Sequence, residues 1–439
     1  MLSCCCSKSL SAQTTIDSAV STIDTAARGN HFGKNFYSFS MDILGFYRNL
    51  QFRQKEHEIN FNNRVASLDN SDYGIYFRPS IDLKFKGISL AIQPRLNTEY
   101  NQVDGKYELK DLYLQKAKLD IQLSTKTKAS AGRYFKTIGT SLITNPSNLF
   151  FVETNSINPK IELMPQDFVE VAINAGKNLN INLIANLGKG EDNYNRAPYF
   201  GFKRQYGIQI DHYSNSFQLG ALLSSDESGR SGIGLYGQKN VGSSLVFWID
   251  AALKYNPNRF YPRSPEKKEI RELINYEMVN GLENRKLFIQ GLLGMSYTFS
   301  FGPTLNFEYY YNSMGYKSEH LNSYWKMIYQ SSDYNFDITT ELSKKNMGRA
   351  INPGMQFIRN NYLLTQFGQN DVFDQLNFFV RYFHCLDDNS QQISALAEWN
   401  ILDRLELFST VLVNPQSGKK GDFNRLVSSQ LMFGLIYRL

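Results

Sequence analysis

Between Tyr73 and Asn101 apolar and polar residues alternate with a period of two. Ile75, Phe77, Pro79, Ile81, Leu83 and Phe85 interleave with Tyr76, Arg78, Ser80, Asp82, Lys84 and Lys86. After Gly87, the residues Ile88, Leu90, Ile92, Pro94, Leu96 and Tyr100 interleave with Ser89, Ala91, Gln93, Arg95, Asn97 and Glu99. This pattern predicts two strands, each with one apolar and one polar face. A two-residue turn at Lys86-Gly87 sets Phe85 opposite Ile88, Leu83 opposite Leu90 and Ile81 opposite Ile92, so turn and alternation specify one register. Both strands are longer than the usual five or six residues of a soluble sheet.

The same reading along the rest of the chain predicts about 18 strands, the usual composition of a transmembrane barrel. The first is centred on Phe39, Met41 and Ile43, and the last runs through Phe433, Leu435 and Tyr437 to Leu439. In the strand after the opening hairpin the phase slips between Leu114 and Leu119, which predicts a bulge near Lys116-Ala117. Counted back from the C-terminus, almost all connections on one side are short, including those at Lys86, Ser124, Lys177, Ser214, Val241, Phe301, Gly368 and Leu402. The long inserts, 47–72, 135–165, 256–285 and 313–360, fall on the other side. Short periplasmic turns opposite long extracellular loops are the mark of an outer-membrane barrel. Short helices are expected within two inserts, near Ser264–Leu273 and Leu321–Tyr329. The expected architecture is therefore all-β: residues 34–439 form one antiparallel transmembrane barrel, and 1–33 a targeting remnant and polar lead-in.

Composition agrees with this and removes other classes. Tyr (27) and Phe (31) are abundant among the 439 residues. Mean hydropathy is −0.39, and no window approaches the run of about 18 apolar residues of a membrane helix. The net charge of +6 is spread along the chain without a basic–aromatic motif, so nucleic acid is not an expected partner. Three of the four cysteines sit at positions 4–6 and the fourth is Cys385, so no disulfide framework is legible. The five histidines form no spaced set with Ser and acid, and no nucleotide loop or Cys/His cluster is present in the sequence. Neither an enzyme nor a bound metal or cofactor is expected.

In a barrel of this size the chemistry lies on lumen-facing residues and inward loops. Arg78 and Arg95 fall opposite each other on the polar face. Like charges in that position need a partner. They are either a basic step that draws anions into the pore, or two wall arginines paired with Asp82, Glu99 or an acidic loop residue. Lys84, Lys118, Lys254 and Arg381 are further inward cations, set against Asp120, Glu170, Asp250, Glu308 and Glu398. Asn180, Asn182, Asn186, Asn306 and Asn377 add neutral hydrogen-bonding groups. The prolines Pro79 and Pro94 also face each other, although each removes a ladder donor. Arg204 lies in phase with the apolar residues Phe202, Tyr206 and Ile208, the position of a side chain that snorkels to a headgroup or marks a bulge.

Residues 109–151, about a tenth of the chain, carry Leu112-Tyr113-Leu114, Ala131-Gly132-Arg133, Gly139 and Asn145-Pro146-Ser147-Asn148-Leu149-Phe150. This segment resembles one shared by outer-membrane porins that include alginate-export-like porins and porins of Bacteroidota. In those, Trp-Gly follows the Gly-Arg/Lys strand end; here Ile138-Gly139 stands in its place, and Asp111 stands near an expected Glu. The resemblance implies passive or facilitated transport of a hydrophilic solute, and a 135–165 loop folded into the lumen as a constriction with Asn145, Pro146, Asn148 and Phe150. The expectation is thus a porin-like channel of the bacterial outer membrane, in contact with membrane lipid and passing small hydrophilic solutes, anionic or saccharide among them. The alternative is a docking barrel with a blocked lumen that binds a protein partner through loops 256–285 and 313–360.

Overall fold

The computed structural model describes residues 36–52, 71–101, 106–142, 144–150, 162, 165–190, 201–266, 276–281, 286–333, 337–351, 353–415, 421–424 and 427–439. The lead-in 1–33 and most of the helix expected near 264–273 lie outside these residues. The strands are β1 (Tyr37–Phe52), β2 (Ser71–Phe85), β3 (Ile88–Asn101), β4 (Lys106–Gln122), β5 (Thr127–Tyr134), β6 (Gln166–Asn174), β7 (Leu179–Gly188), β8 (Gln205–Tyr213), β9 (Phe217–Asp226), β10 (Ser231–Val241), β11 (Leu245–Tyr255), β12 (Phe260–Arg263), β13 (Glu277–Asn280), β14 (Leu287–Thr298), β15 (Thr304–Asn312), β16 (Asn361–Val372), β17 (Leu376–Cys385), β18 (Gln391–Leu402), β19 (Leu405–Val413) and β20 (Val427–Arg438). Two helices, α1 (Ser318–Asp333) and α2 (Asp337–Ile351), lie between β15 and β16.

Eighteen of the strands form one antiparallel sheet, from which only the β12–β13 hairpin is separate. The sheet closes because β1 pairs with β2 on one side and with β20 on the other. Closure leaves no sheet edge, which a bilayer requires of a β protein. Apolar side chains such as Leu183, Ile208, Leu223, Leu235, Ile249 and Leu293 are exposed on the outer face. Alternate residues between them turn inward and are largely polar, among them Glu170, Asn182, Gln209, Asp250 and Glu308. No helix among the described residues is long and apolar enough to cross a membrane, so the strands carry the span.

The β2–β3 hairpin has the register expected from its alternation: Phe85↔Ile88, Leu83↔Leu90 and Ile81↔Ile92. Lys86 and Gly87 both have positive φ, the conformation of a two-residue hairpin turn that matches strand twist. The ladder opens between Ile81↔Ile92 and Phe77↔Leu96, around Pro79 and Pro94. Neither proline has an N–H, so two facing carbonyls are left without ladder donors. The Arg95 guanidinium replaces both donors: its Nη1 lies 3.2 Å from the Pro79 carbonyl oxygen and 3.0 Å from that of Pro94. The phase slip in β4 is also present, one residue from its expected place. Gln93 pairs with Lys116 and Pro94 with Leu114, leaving Gln115 as the extra residue.

β1 continues to Phe52, so the insert expected from residue 47 begins later. Alternation fades there because the inward face also turns apolar. Leu44 and Phe46 pack inside the barrel against Phe408, Met432 and Ile436. The helix expected near 321–329 is α1; α2 and the β12–β13 hairpin carried no legible period. Together these elements form a cap at the long-loop end. Phe260, Tyr261, Met278, Tyr316, Leu321, Tyr324, Trp325, Met327, Ile328, Met347, Ala350, Met355 and Ile358 make its core. Leu321, Tyr324, Trp325 and Ile328 follow helical spacing along one face of α1.

Candidate pore constriction

After β5 the chain turns inward and residues 135–150 lie against the inner wall. Each end of this segment is held by charged wall residues. At its start, Lys136 Nζ is 2.7 Å from Glu170 Oε1, and the Tyr134 hydroxyl donates to Glu170 Oε2 at 3.1 Å. Further on, Asp250 of β11 accepts from the Ser147 backbone N–H at 2.6 Å, the Ser147 hydroxyl at 2.9 Å and the Thr140 N–H at 3.2 Å. Glu308 of β15 accepts from the Leu142 N–H and from Trp248 Nε1, both at 2.8 Å. A loop has no ladder of its own, so its buried N–H groups need such acceptors. Ionised acceptors make the stronger bonds.

Small wall residues let the loop approach. A Cβ at Gly234 would lie 2.4 Å from the Ser147 carbonyl oxygen, and one at Gly207 would lie 2.9 Å from the Phe150 ring. Apolar side chains fill the remaining contact: Ile138 and Phe150 pack with Tyr134, Phe168, Ile184, Leu222 and Tyr236 of the wall. Leu142 packs against a second inward cluster that includes Trp248, Tyr310 and Phe357.

The four residues singled out in this loop have different parts. Asn145 is a brace: its Oδ1 accepts from the Ser141 N–H at 3.0 Å and hydroxyl at 2.9 Å. Its carbonyl accepts from the Asn148 N–H at 2.9 Å, closing the turn that contains Pro146. Asn148 Nδ2 donates to the Lys136 carbonyl at 3.3 Å, tying the two limbs of the loop together. Phe150 is the apolar foot on the wall.

The arginine step has an acidic loop residue as its partner. Glu162 receives a two-pronged ion pair from Arg95, with Nη2 to Oε1 at 2.6 Å and Nε to Oε2 at 2.7 Å. Arg78 Nε stands 3.9 Å from the same carboxylate. One side chain thus neutralises part of a like-charge pair while Arg95 also repairs the proline gap. Glu99 accepts from the Tyr76 hydroxyl at 2.5 Å, and Asp82 stands half-buried opposite Ala91. Lys84 is exposed near the Lys86-Gly87 turn, away from the loop. Lys118 and Asp120 form their own pair at 3.1 Å, with Lys128 3.8 Å from Asp120. Arg381 is on the opposite part of the wall, stacked 4.3 Å over Phe379 and donating to Gln366.

Arg78, Arg95, Lys118, Lys128 and Lys136 lie on β2–β5 and the start of the loop, Arg381 stands apart on β17, and the carboxylates of Asp250 and Glu308 lie under the loop. These two carboxylates accept loop N–H bonds and present less free charge to the lumen than their count suggests. Sequence pattern placed Glu170, Asp250 and Glu308 on the inner face without their role as anchors, and it passed over Glu162, Lys136, Thr140 and Ser147. One available signal was the inward phase of Gly232 and Gly234, since glycine within a strand marks a close backbone approach.

No family model matches the chain, and no curated protein sequence matches it. Solved structures do. It is similar to Pseudomonas aeruginosa OccK11 (OpdR), with a TM-score of 0.53 at 11% identity over 92% of this chain and 96% of that one. Pseudomonas aeruginosa OprD gives a TM-score of 0.52 at 10% identity over 93% and 97%. A BenF-like porin from Pseudomonas fluorescens Pf-5 gives 0.53 at 9% identity over 92% and 100%. At these identities the likeness is one of fold: a closed 18-stranded barrel of the outer-membrane porin type.

Proposed function

We propose that this chain is a channel of the bacterial outer membrane that passes small hydrophilic solutes by passive or facilitated diffusion. The observation that carries the reading is a closed 18-stranded barrel whose inner face is polar and whose third inter-strand insert lies on the inner wall, anchored by Asp250 and Glu308. Barrels of about this strand number enclose an aqueous channel. A loop on the wall narrows such a channel without supplying a separate plug domain.

Solute preference belongs to the face that keeps charge. Arg78 and Arg95 bring two guanidinium groups to the carboxylate of Glu162, which makes this step the more positive part of the constriction in this reading. Anionic and neutral hydroxylated solutes suit it better than cations. The chemistry of the wall that supports this reading is hydrogen bonding and charge pairing. The narrower kinship with alginate-export-like and Bacteroidota porins rests on the 109–151 segment alone.

The loops 256–285 and 313–360 are the surface for any protein partner. Much of their apolar surface is spent on the cap core, and the docking reading is therefore the weaker one. The test is solute flux into liposomes reconstituted with the purified protein, followed by reversal potential in a salt gradient. Swelling in small sugars is expected, and Arg78→Glu with Arg95→Glu is expected to move the reversal potential toward cations. Absence of flux, together with a stoichiometric partner in a pull-down, would replace the channel by the docking barrel.

A further inference from the structure

The cap holds a buried cation that no acid of the described residues neutralises. Arg259, the residue before β12, is 1% exposed. Its backbone is fixed by the β12–β13 hairpin: its N–H donates to Asn280 Oδ1 at 2.9 Å, and its carbonyl accepts from the Gly281 N–H at 2.8 Å. The guanidinium lies against the rings of Tyr261 and Tyr316, 4.2 Å and 4.7 Å from their centroids. Nη1 donates to the Tyr261 hydroxyl at 2.8 Å. Nε and Nη2, the side-on fork of the guanidinium, make no hydrogen bond among the described residues. The same fork grips a carboxylate with both prongs at Arg95, on Glu162, and at Arg133, on Asp167. An ion buried without such a partner is costly. The rings and hydroxyls of Tyr261 and Tyr316 offset part of that cost and bring no negative charge.

Its surroundings add charge of the same sign. Tyr316 leads into α1, whose first bond runs from the Leu321 N–H to the Lys317 carbonyl at 2.9 Å. The N–H groups of Ser318, Glu319 and His320 therefore have no acceptor within the helix. The position that usually carries Ser, Thr, Asp or Asn to accept one of them is Lys317. An ammonium cannot accept, and its charge opposes the positive end of the helix dipole. His320 stands on the same turn against Tyr261, with ring centroids 5.6 Å apart, and Arg259 is the charged group that acts on it most strongly. Glu319 is the acid of this first turn; it is exposed, and its effect on His320 is smaller than that of Arg259. Neither Arg259 nor Lys317 makes an ion pair among the described residues.

A guanidinium fork, an uncapped helix N-terminus and two flanking basic side chains meet the needs of one kind of ligand, an oxyanion with several acceptor atoms. A carboxylate spends both its oxygens on the fork. Phosphate has further oxygens for the helix N–H groups and the lysine. We propose that the cap binds inorganic phosphate between Arg259 and the N-terminus of α1. Nε and Nη2 of Arg259 hold two oxygens, the N–H groups of the first turn hold a third, and Lys317 and His320 close the site toward solvent. Arg259 lies within the cap core beside Tyr316, so a small free anion fits the place and a headgroup tethered in the bilayer does not. The bound ion ties β12 to α1 and thereby rigidifies the cap. None of this requires that the barrel conduct.

The test is hydrogen exchange of the purified full-length barrel in neutral detergent, with inorganic phosphate titrated at constant ionic strength and acetate as the comparison anion. Saturable protection is expected across residues 258–263 and 316–324, with acetate about tenfold weaker or worse for want of the further acceptor oxygens. Arg259→Lys, which keeps the charge and loses the fork, should raise the half-saturating phosphate concentration about tenfold, as loss of a charge-assisted hydrogen bond does. Lys317→Glu changes an exposed side chain and leaves the cap core intact, so it reads the site even if the arginine variant loosens the cap; it should raise that concentration by about the same factor. Heat-modifiability on gels establishes that each barrel is folded. The proposal is overturned by the absence of protection, by equal protection with acetate, or by a titration that Lys317→Glu leaves unchanged. Protection confined to residues 135–150 overturns it as well, since the anion would then sit at the pore step and not in the cap.

Discussion

Two inserts fold back on this barrel, and they are held by opposite means. Residues 135–150 lie on the inner wall through backbone N–H groups given to Asp250 and Glu308, with apolar contacts as secondary footing. The cap built from the 256–286 and 313–360 regions has a core of its own, in which Tyr324, Met327, Ile328 and Ala350 are fully buried. Its polar contacts are mainly internal ties, such as the Arg349 guanidinium on the Met278 carbonyl at 2.6 Å and the Tyr316 hydroxyl on the Phe260 carbonyl at 2.7 Å. The wall loop is a segment whose conformation depends on the barrel. The cap is a small folded unit carried by it. In an aqueous lumen, a loop anchored by carboxylates can be released by changing one side chain, whereas an apolar core yields only to loss of packing.

That difference predicts separable failures. The largest effect is expected from Trp325→Ala. It should cost the cap about 3–5 kcal/mol, the usual range for a large-to-small core change. Hydrogen exchange should then rise across α1, α2 and β12–β13 while the barrel keeps its heat-modifiable band; a barrel that unfolds with the cap would break the comparison. Asp250→Ala comes next. Each donor it orphans costs about 1–3 kcal/mol, toward the lower end where lumen water replaces the carboxylate. Protease should cut within 135–150 while the cap stays protected. Gly234→Val separates shape from charge: it keeps Asp250 but puts side-chain atoms where the Ser147 backbone lies, and should loosen the same segment alone.

The smallest effect concerns acid. His320, on the first turn of α1, packs edge-on to Tyr261 with ring centroids 5.6 Å apart. Burial first, then the nearby Arg259, hold its imidazole below its ordinary pKa; Glu319 pulls it up, and Lys317 adds a smaller downward push. The folded cap therefore favours the neutral ring. Its contribution is complete above the ordinary imidazole value and is lost as pH falls through the depressed one. Exchange in the cap should rise modestly on acidification, and His320→Gln should blunt that rise without altering the wall loop.

Much of the barrel was legible because a membrane forces its pattern onto the sequence. Alternation set the Phe85↔Ile88 register, and the segregation of long inserts set the side of every turn. Legibility failed where a strand's inner face also turned apolar, as at Leu44 and Phe46 in β1, and where aromatic and methionine residues pack without a period, as in the cap. The facing prolines could be found but not explained, because the group that repairs their ladder is a side chain one residue away on the other face. An acidic loop residue was among the partners expected for Arg95, but Glu162 could not be singled out: the two lie 67 residues apart, and nothing local in an irregular loop marks its partner. Alternation could mark candidate site residues as inward charges, while which of them holds the loop depended on tertiary contact.

The central claim is an aqueous pore narrowed by the segment laid on its inner wall. Unitary conductance in planar bilayers, measured for the purified protein and for its Asp250→Ala variant, tests it most directly. A discrete conductance that grows when the anchor is removed is the predicted result. A barrel that passes no current in either form, or a current unchanged by releasing the loop, would contradict it.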